Sequence, residues 1–119
     1  MACLEELFRP ICAEVEKELK KVLRGILTGP IAKGYLPQAW VFETGEETIT
    51  FHVDKKGNAS TDSVADPKPD VIIRIDHDYL AKALGTRSRP DFEPKVLEYI
   101  FHTGKGETAF GYMRKRLGL

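Results

Sequence analysis

Three histidines, His52, His77 and His102, are the side chains here best suited to bind a metal or to move a proton near neutral pH. A metal site needs several ligands at short, characteristic spacings, and no cysteine or second histidine stands at such a spacing from any of the three. His52 falls on the polar side of a predicted strand, and His77 in the first turn of a predicted helix. We therefore expect surface histidines and no metal site.

Asp76 and Asp78 resemble a pair of carboxylates that could act as general acid and base. The same residues also fit the start of a helix, where the Asp76 side chain caps a backbone N–H and Asp78 complements the positive helix end. This second explanation accounts for both residues without catalysis. No Ser-His-Asp or Cys-His constellation can be assembled from the sequence. We predict that the protein is not an enzyme and uses no cofactor.

Residues 104–108 (GKGET) precede a predicted helix, so their backbone amides could hold an anion. The chain lacks the GxxxxGK[ST] motif that a phosphate-binding loop requires. Two further basic groups, Arg87 with Arg89 and the run 114–116, could hold a lipid head group or an acidic partner. The alternative is that the run 114–116 is the solvated basic end of a helix.

Length, composition and net charge restrict the class of protein to which these residues belong. The chain has 119 residues, 42% of them hydrophobic and 30% charged, which is typical of a globular protein rather than a disordered one. This length predicts a single domain over residues 1–119. Eighteen Lys and Arg balance eighteen Asp and Glu, so the basic excess of a nucleic-acid-binding protein is absent. We expect no nucleic-acid partner.

Cysteine usage and hydropathy predict the compartment. Cys3 and Cys12 would lie about 13 Å apart on one helix, too far for a disulfide. No apolar run approaches the roughly 20 residues that span a bilayer. The acidic, periodic start MACLEELFRP does not resemble a secretory signal. We therefore expect free thiols in a cytoplasmic protein.

A long amphipathic helix is predicted over residues 9–28. Pro10 is tolerated without cost only in the first turn, so either the helix starts near Arg9 after a short turn at 4–8, or it kinks at Pro10; Gly29 should end it. Part of its apolar stripe should lack a partner within the domain, which predicts Leu19 and Leu23 at a dimer interface or at the mouth of a cavity. The stripe recurs in steps of three and four and comprises Leu4, Leu7, Phe8, Ile11, Val15, Leu19, Val22, Leu23, Ile26 and Leu27.

The hydrophobic period changes from helical to alternating after residue 37. Strands are predicted at 39–44, 47–53, 59–64 and 71–75. Helices are predicted at 76–84, 92–101 and 109–117. Strands grouped before helices favour an α+β fold, with an antiparallel sheet of four to five strands and helices packed on one face.

Several segments between residues 35 and 117 resemble the sterol carrier protein type 2 family of lipid-binding domains. The strongest is PDVIIRIDHDYLAKALG, residues 69–85, in which a strand runs directly into a helix that starts with Asp. A strand containing Trp40, a hairpin with Gly57 at its turn, and Phe101 followed by the pair Gly104-Lys105 also match. The helix predicted over residues 109–117 also matches the closing helix of the family.

The resemblance implies a sterol-carrier-like fold with an apolar tunnel between the sheet and the C-terminal helices. Such a protein would bind or carry a fatty acyl, sterol or isoprenoid chain without catalysis, with transient contact to a membrane surface. The alternative is an interaction module that forms a homodimer, or docks on another protein, through the N-terminal helix. The same apolar stripes could simply fill a core. The predicted tunnel residues are Trp40, Phe42, Leu80, Leu84, Phe101, Phe110 and Met113.

Overall fold

The protein, described by a computed structural model over residues 3–119, consists of helices and one sheet. The elements in chain order are α1 (Leu4–Leu23), α2 (Thr28–Lys33), β1 (Gln38–Glu43), β2 (Thr48–Val53), β3 (Ala59–Asp62), β4 (Val71–Ile75), α3 (His77–Thr86), β5 (Leu97–Phe101) and α4 (Gly104–Leu117). Within the described residues the sheet has five strands in the order β3-β2-β1-β4-β5. The predicted α+β class is confirmed.

The sheet is mixed, so the prediction of a wholly antiparallel sheet is wrong. Strands β1 and β4 are parallel neighbours, and the other three neighbouring pairs are antiparallel. The chain reaches the far side of β1 through residues 63–70, which cross the sheet. The Thr50 hydroxyl holds this crossing by donating to the Val64 carbonyl at 2.6 Å and accepting from the Asp66 amide at 3.0 Å.

Helix α1 starts before Pro10 rather than at it, which corrects the predicted start at Arg9. A proline within a helix costs about 3 kcal/mol because it removes one backbone hydrogen bond. Here the freed carbonyl belongs to Glu6, and both Glu6 and Pro10 are exposed, so water can bond it. Burial of Leu4 and Phe8, worth roughly 1.5–3 kcal/mol each, offsets the remaining cost.

The C-terminal end of α1 also differs from the prediction, because the helix ends at Leu23 and not at residue 28. Gly25 follows the end, and residues 28–33 form the separate short helix α2, which packs against α1. The Val22 carbonyl at this helix end accepts from the Gly25 amide at 3.1 Å and from the Thr28 hydroxyl at 2.7 Å.

Residues 97–101 form strand β5, so the helix predicted over 92–101 is wrong. The strand pairs antiparallel with β4, whose outer edge would otherwise remain unpaired. Tyr99 points toward the helices, and its ring lies 4.7 Å from that of Phe110. A short apolar run is compatible with both the helical and the alternating hydrophobic period. This run forms a strand because it pairs with the edge of β4.

Asp76 precedes α3, but its carboxylate makes no capping bond to that helix. The predicted side-chain cap is therefore wrong. The carboxylate instead accepts the backbone amides of Lys95 and Val96. These bonds fasten the start of β5 beside the end of β4, a long-range role that local spacing does not indicate.

Helix α4 is longer than the predicted helix over 109–117, because the Gly-rich residues 104–108 form its first turn. Thr103 caps this turn, with its hydroxyl accepting from the Gly106 amide at 3.1 Å. Helix α3 covers the predicted segment 76–84 with its ends shifted by one or two residues.

The helices pack on the sheet face that carries Trp40, Phe42 and Phe51. Phe8 of α1 lies at the centre of this core, with its ring centroid 5.0 Å from that of Phe42 and 5.8 Å from that of Phe51. The opposite face carries polar residues such as His52 and Arg74. The predicted arrangement of helices on one face is confirmed in these contacts.

Candidate functional site

A cavity of about 270 Å³ lies between the sheet and the helices. Its walls are formed by α1, by α2 with the segment that follows it, by strands β1 and β2, and by α4. The lining residues are Val15, Leu19, Ala32, Tyr35, Leu36, Gln38, Trp40, Phe51, Val53, Thr108, Ala109, Tyr112 and Met113. The cavity is therefore formed only when the N-terminal and C-terminal helices pack together on strands β1 and β2.

The cavity is large enough for a small apolar ligand. An apolar cavity of about 150 Å³ holds benzene, so by the same ratio this one holds about eleven heavy atoms. Pockets for drug-sized ligands start at roughly 300 Å³, slightly above the volume found here. The site fits a short chain or one segment of a longer one.

The polar side chain set most deeply in the wall is Gln38, which is 6% exposed. Its Nε2 donates to the Tyr35 carbonyl at 2.8 Å and to the Lys105 carbonyl at 3.0 Å. Its Oε1 accepts from Trp40 Nε1 at 2.8 Å. The amide thereby ties β1 to the segment after α2 and to the first turn of α4, three walls of the cavity.

A second polar cluster joins α1 to α4 at the edge of the cavity. The Tyr112 hydroxyl donates to Glu18 Oε2, and Arg116 donates to the same oxygen from Nε at 2.9 Å and Nη2 at 2.8 Å. The hydrogen bond from Tyr112, aided by Arg116, lowers the pKa of Glu18. Burial, followed by the bond to Glu18, raises the pKa of Tyr112 to about 12. At neutral pH the glutamate is therefore ionised and the tyrosine keeps its proton.

Two of the predicted tunnel residues, Trp40 and Met113, line the cavity. Phe42, Leu80 and Leu84 are buried in the core away from it. Phe110 and Phe101 are also outside the lining. The Phe110 ring stands 6.2 Å from that of Trp40 and 5.3 Å from that of Phe101, so it supports the wall from behind.

Several lining residues stand at positions where the sequence predicts no site. Ala32, Tyr35 and Leu36 lie in the predicted connector 31–37, and Val15 lies on α1. The connector carries a signal that could have identified it, because its apolar residues recur at the i, i+3, i+4 spacing. The sequence predicts Leu19 and Leu23 at a cavity mouth or a dimer interface. Leu19 lines the cavity, and Leu23 does not.

His77 is not a surface residue, which corrects the prediction for one of the three histidines. Its side chain is 10% exposed, with Nδ1 3.1 Å from the Thr44 hydroxyl and 3.5 Å from Glu46. Nε2 lies 3.6 Å from Glu47, because the turn between β1 and β2 folds over the start of α3. Among residues 3–119, no group of three or more His, Cys, Asp or Glu side chains could hold a metal ion.

Cys3 and Cys12 are both free thiols. Cys3 is exposed at the start of α1, whereas Cys12 is half-buried against the core. Burial, with the nearby Glu16 carboxylate, raises the pKa of Cys12 to about 11. The Cys12 thiol therefore stays protonated at neutral pH and packs as a small apolar side chain.

The start of α4, considered from the sequence as an anion site, already holds a carboxylate of the protein. Asp70 accepts from the Thr103 hydroxyl at 2.7 Å and lies 3.7 Å from Lys105 Nζ. Two of the five basic residues considered for a head group also have acidic partners within the chain. Arg87 pairs with Glu14, and Arg116 pairs with Glu18 as described above.

An exposed apolar corner lies where α1 ends and α2 begins, next to the cavity wall. We define it by Ile26, Leu27 and Ile31, which are 91%, 83% and 67% exposed. The surrounding residues 19–37 include four basic side chains and no acidic one. No helix in the described part of the chain is long and apolar enough to cross a membrane.

No protein-family model matches this chain, and no match is found among curated proteins. Membership of the sterol carrier protein type 2 family therefore stays a prediction from the segments that resemble it.

Proposed function

We propose that the protein binds a small apolar molecule, or one segment of a lipid chain, without chemical change to it. The cavity of about 270 Å³ between the sheet, α1, α2 and α4 carries this proposal. Its lining is mostly aliphatic and aromatic, which is the usual composition of a ligand pocket. The sterol-carrier-like tunnel implied by the resemblance is one form of the same function.

The exposed corner supports a second step, in which the protein touches an anionic membrane surface to exchange its ligand. Ile26, Leu27 and Ile31 could enter the boundary between head groups and acyl chains. Lys20, Lys21, Arg24 and Lys33 lie within six residues of them in the sequence, and each basic residue near an anionic surface contributes about 1 kcal/mol. Because the corner adjoins Ala32 in the cavity wall, ligand could pass between bilayer and cavity over a short distance.

A homodimer through the same corner is the competing explanation. In a two-fold symmetric dimer the same patch meets itself, so two copies of a segment with four basic residues and no acidic one would be brought together. Like charges brought together repel, whereas anionic lipid attracts basic side chains. The membrane surface is therefore the partner we propose. The free thiols suit a reducing compartment such as the cytoplasm, which remains part of the proposal.

Filling the cavity should abolish ligand binding without unfolding the protein. Ala109 lines the cavity on α4, so Ala109→Phe would place a ring of benzene size in the void and use more than half of it. We expect at least a tenfold loss of affinity for octanol, measured by isothermal titration calorimetry. Thermal stability should be maintained or increased, because the void is filled.

Ala13→Phe is the matched control, since Ala13 is exposed on α1 and lies outside the cavity lining. It should bind octanol as the unmodified protein does. Equal octanol affinity in the Ala109→Phe variant would exclude the cavity as the binding site. Absence of any saturable octanol signal in the unmodified protein would overturn the proposed function itself.

The double variant Ile26→Asp and Leu27→Asp should lose affinity for vesicles of mixed phosphatidylcholine and phosphatidylglycerol by at least tenfold. The change removes two inserting side chains and adds two negative charges beside the basic residues. Cosedimentation with vesicles measures the effect, and binding of the unmodified protein should weaken as salt is added.

Val64→Asp is the control for surface charge, because Val64 is also exposed but lies in the crossing segment 63–70. It should leave vesicle binding unchanged. If ultracentrifugation shows a dimer for the unmodified protein and a monomer for the double variant, the corner joins two copies. The interaction module would then be the better account of this surface.

A further inference from the structure

The orientation of the Gln38 amide is determined by its three partners. Trp40 Nε1 can only donate, so it must face the amide oxygen, at 2.8 Å. The carbonyls of Tyr35 and Lys105 can only accept, so they must face the amide nitrogen. A flipped amide would set donor against donor and acceptor against acceptor in a position that is 94% buried, as follows from its 6% exposure.

This arrangement leaves Gln38 with one unused hydrogen-bonding position. Both N–H groups are occupied by carbonyls, and Oε1 has two lone pairs, of which Trp40 uses one. Gln38 lines the cavity, and because both of its N–H groups are occupied, the hydrogen-bonding position that its side chain has left for a ligand is an acceptor. A buried acceptor is best satisfied by an N–H or O–H group.

The other polar side chains of the lining do not supply a buried donor. The Tyr112 hydroxyl already donates its hydrogen bond to Glu18, which lies outside the cavity lining. Thr108 and Tyr35 are both exposed, so a group that reaches either hydroxyl also reaches water. Among the described residues that line the cavity, none has a charged side chain.

From this geometry we infer that the cavity selects neutral apolar ligands that carry a hydroxyl, and disfavours carbonyl and carboxylate ligands of the same size. A hydroxyl can donate to the free lone pair of Gln38 Oε1. A ketone or carboxylate oxygen would face that lone pair without a proton between them, and a carboxylate would also lose its hydration in an uncharged pocket. The inference rests on the proposed function, because it concerns the ligand of the same cavity. Gln38 is thus assigned as the residue that determines ligand specificity.

Three ligands with the same eight-carbon skeleton test the inference by calorimetry at pH 8. Octanol has a donor, octanone is neutral with an acceptor alone, and octanoate is charged. We expect octanol to bind at least tenfold more tightly than octanone and octanoate. The comparison of octanol with octanone is decisive, because the two have the same number of heavy atoms and no charge.

The variant Gln38→Leu assigns the preference to the amide. Its folded form should bind octanol and octanone with affinities within about twofold of each other. The hydrogen bond that octanol donates to Gln38 is the interaction expected to distinguish the two ligands, and leucine cannot accept it. If Gln38→Leu fails to fold, the ligand series on the unmodified protein still decides the inference.

The outcomes separate the inference from the proposed function. Octanone or octanoate binding as tightly as octanol would overturn the selection for a hydroxyl and leave apolar ligand binding intact. A preference for octanol that persists in folded Gln38→Leu would overturn the role of Gln38. Binding of none of the three ligands would overturn the proposed function together with the inference.

Discussion

Asp70→Ala should lower the free energy of unfolding by about 3 kcal/mol, measured by urea denaturation. Asp70 is buried where β4 begins, and its Oδ2 accepts from the Ala39 amide of β1 at 2.9 Å. Its Oδ1 accepts from Thr103, the residue that caps α4. Removing the carboxylate leaves these two donors without their partner, and each unsatisfied buried group costs about 1–3 kcal/mol.

Lys105 adds less to this value, because its ammonium group is partly exposed and lies 3.7 Å from Asp70. Asp91→Ala is the matched control, since Asp91 is exposed in the loop before β5. It should change stability by less than about 0.5 kcal/mol. A loss below about 1 kcal/mol for Asp70→Ala would contradict the assigned role of the carboxylate.

Gly106→Ala should destabilise the protein by about 2 kcal/mol, although alanine is the better helix former. Gly106 is in the first turn of α4, where an added Cβ would stand 2.9 Å from the Asp70 carbonyl oxygen and 2.9 Å from Val71 Cγ2. The backbone oxygen cannot move without moving β4, so α4 must shift away from the sheet. The same shift would displace Ala109 and Met113 and should weaken octanol binding.

Gly111→Ala in the same helix provides the control, because a Cβ at Gly111 meets nothing within 4 Å. It should stabilise the protein by about 0.5–1 kcal/mol through helix propensity alone. The two variants should therefore differ in sign in thermal or urea unfolding. Equal effects would show that α4 does not approach β4 as closely as the structure indicates.

Both predictions concern the attachment of α4, on which the cavity depends. Asp70 and Gly106 hold the first turn of this helix against β4, and Ala109, Tyr112 and Met113 follow on the wall of the cavity. A helix held at one end by hydrogen bonds and close packing keeps the void open. If α4 moved toward the sheet the cavity would narrow, and if it moved away the cavity would open further to solvent.

Strands β1 to β4 were predictable because their signal is local. Ile49, Phe51 and Val53 alternate with polar residues along β2, and alternation of this kind specifies one buried face whatever the neighbouring strands are. The turn at Gly57 has a φ of +84°, a conformation that glycine adopts without strain. Helix α3 is likewise marked by its apolar spacing.

Other features depend on contacts distant in sequence, and local patterns could not predict them. Residues 97–101 form a strand because the edge of β4 is unpaired and Asp76 holds the amides of Lys95 and Val96. The parallel pairing of β1 with β4 follows from the route of residues 63–70 across the sheet. Pro10 lies within a helix because the core accepts Leu4 and Phe8.

The residues of the candidate site also separate into those that could be predicted from the sequence and those that depend on contacts distant in sequence. Local patterns were enough to predict an α+β protein with an apolar sheet face, and the family resemblance added Trp40 and Met113 as residues expected to face a ligand. Long-range packing is what puts Phe42, Leu80 and Leu84 in the core while Tyr35 and Leu36 border the cavity. Local patterns could not show this, because hydrophobic periodicity reports only which side chains leave water. Whether they meet other side chains or enclose a cavity depends on how far apart the packed elements come to rest.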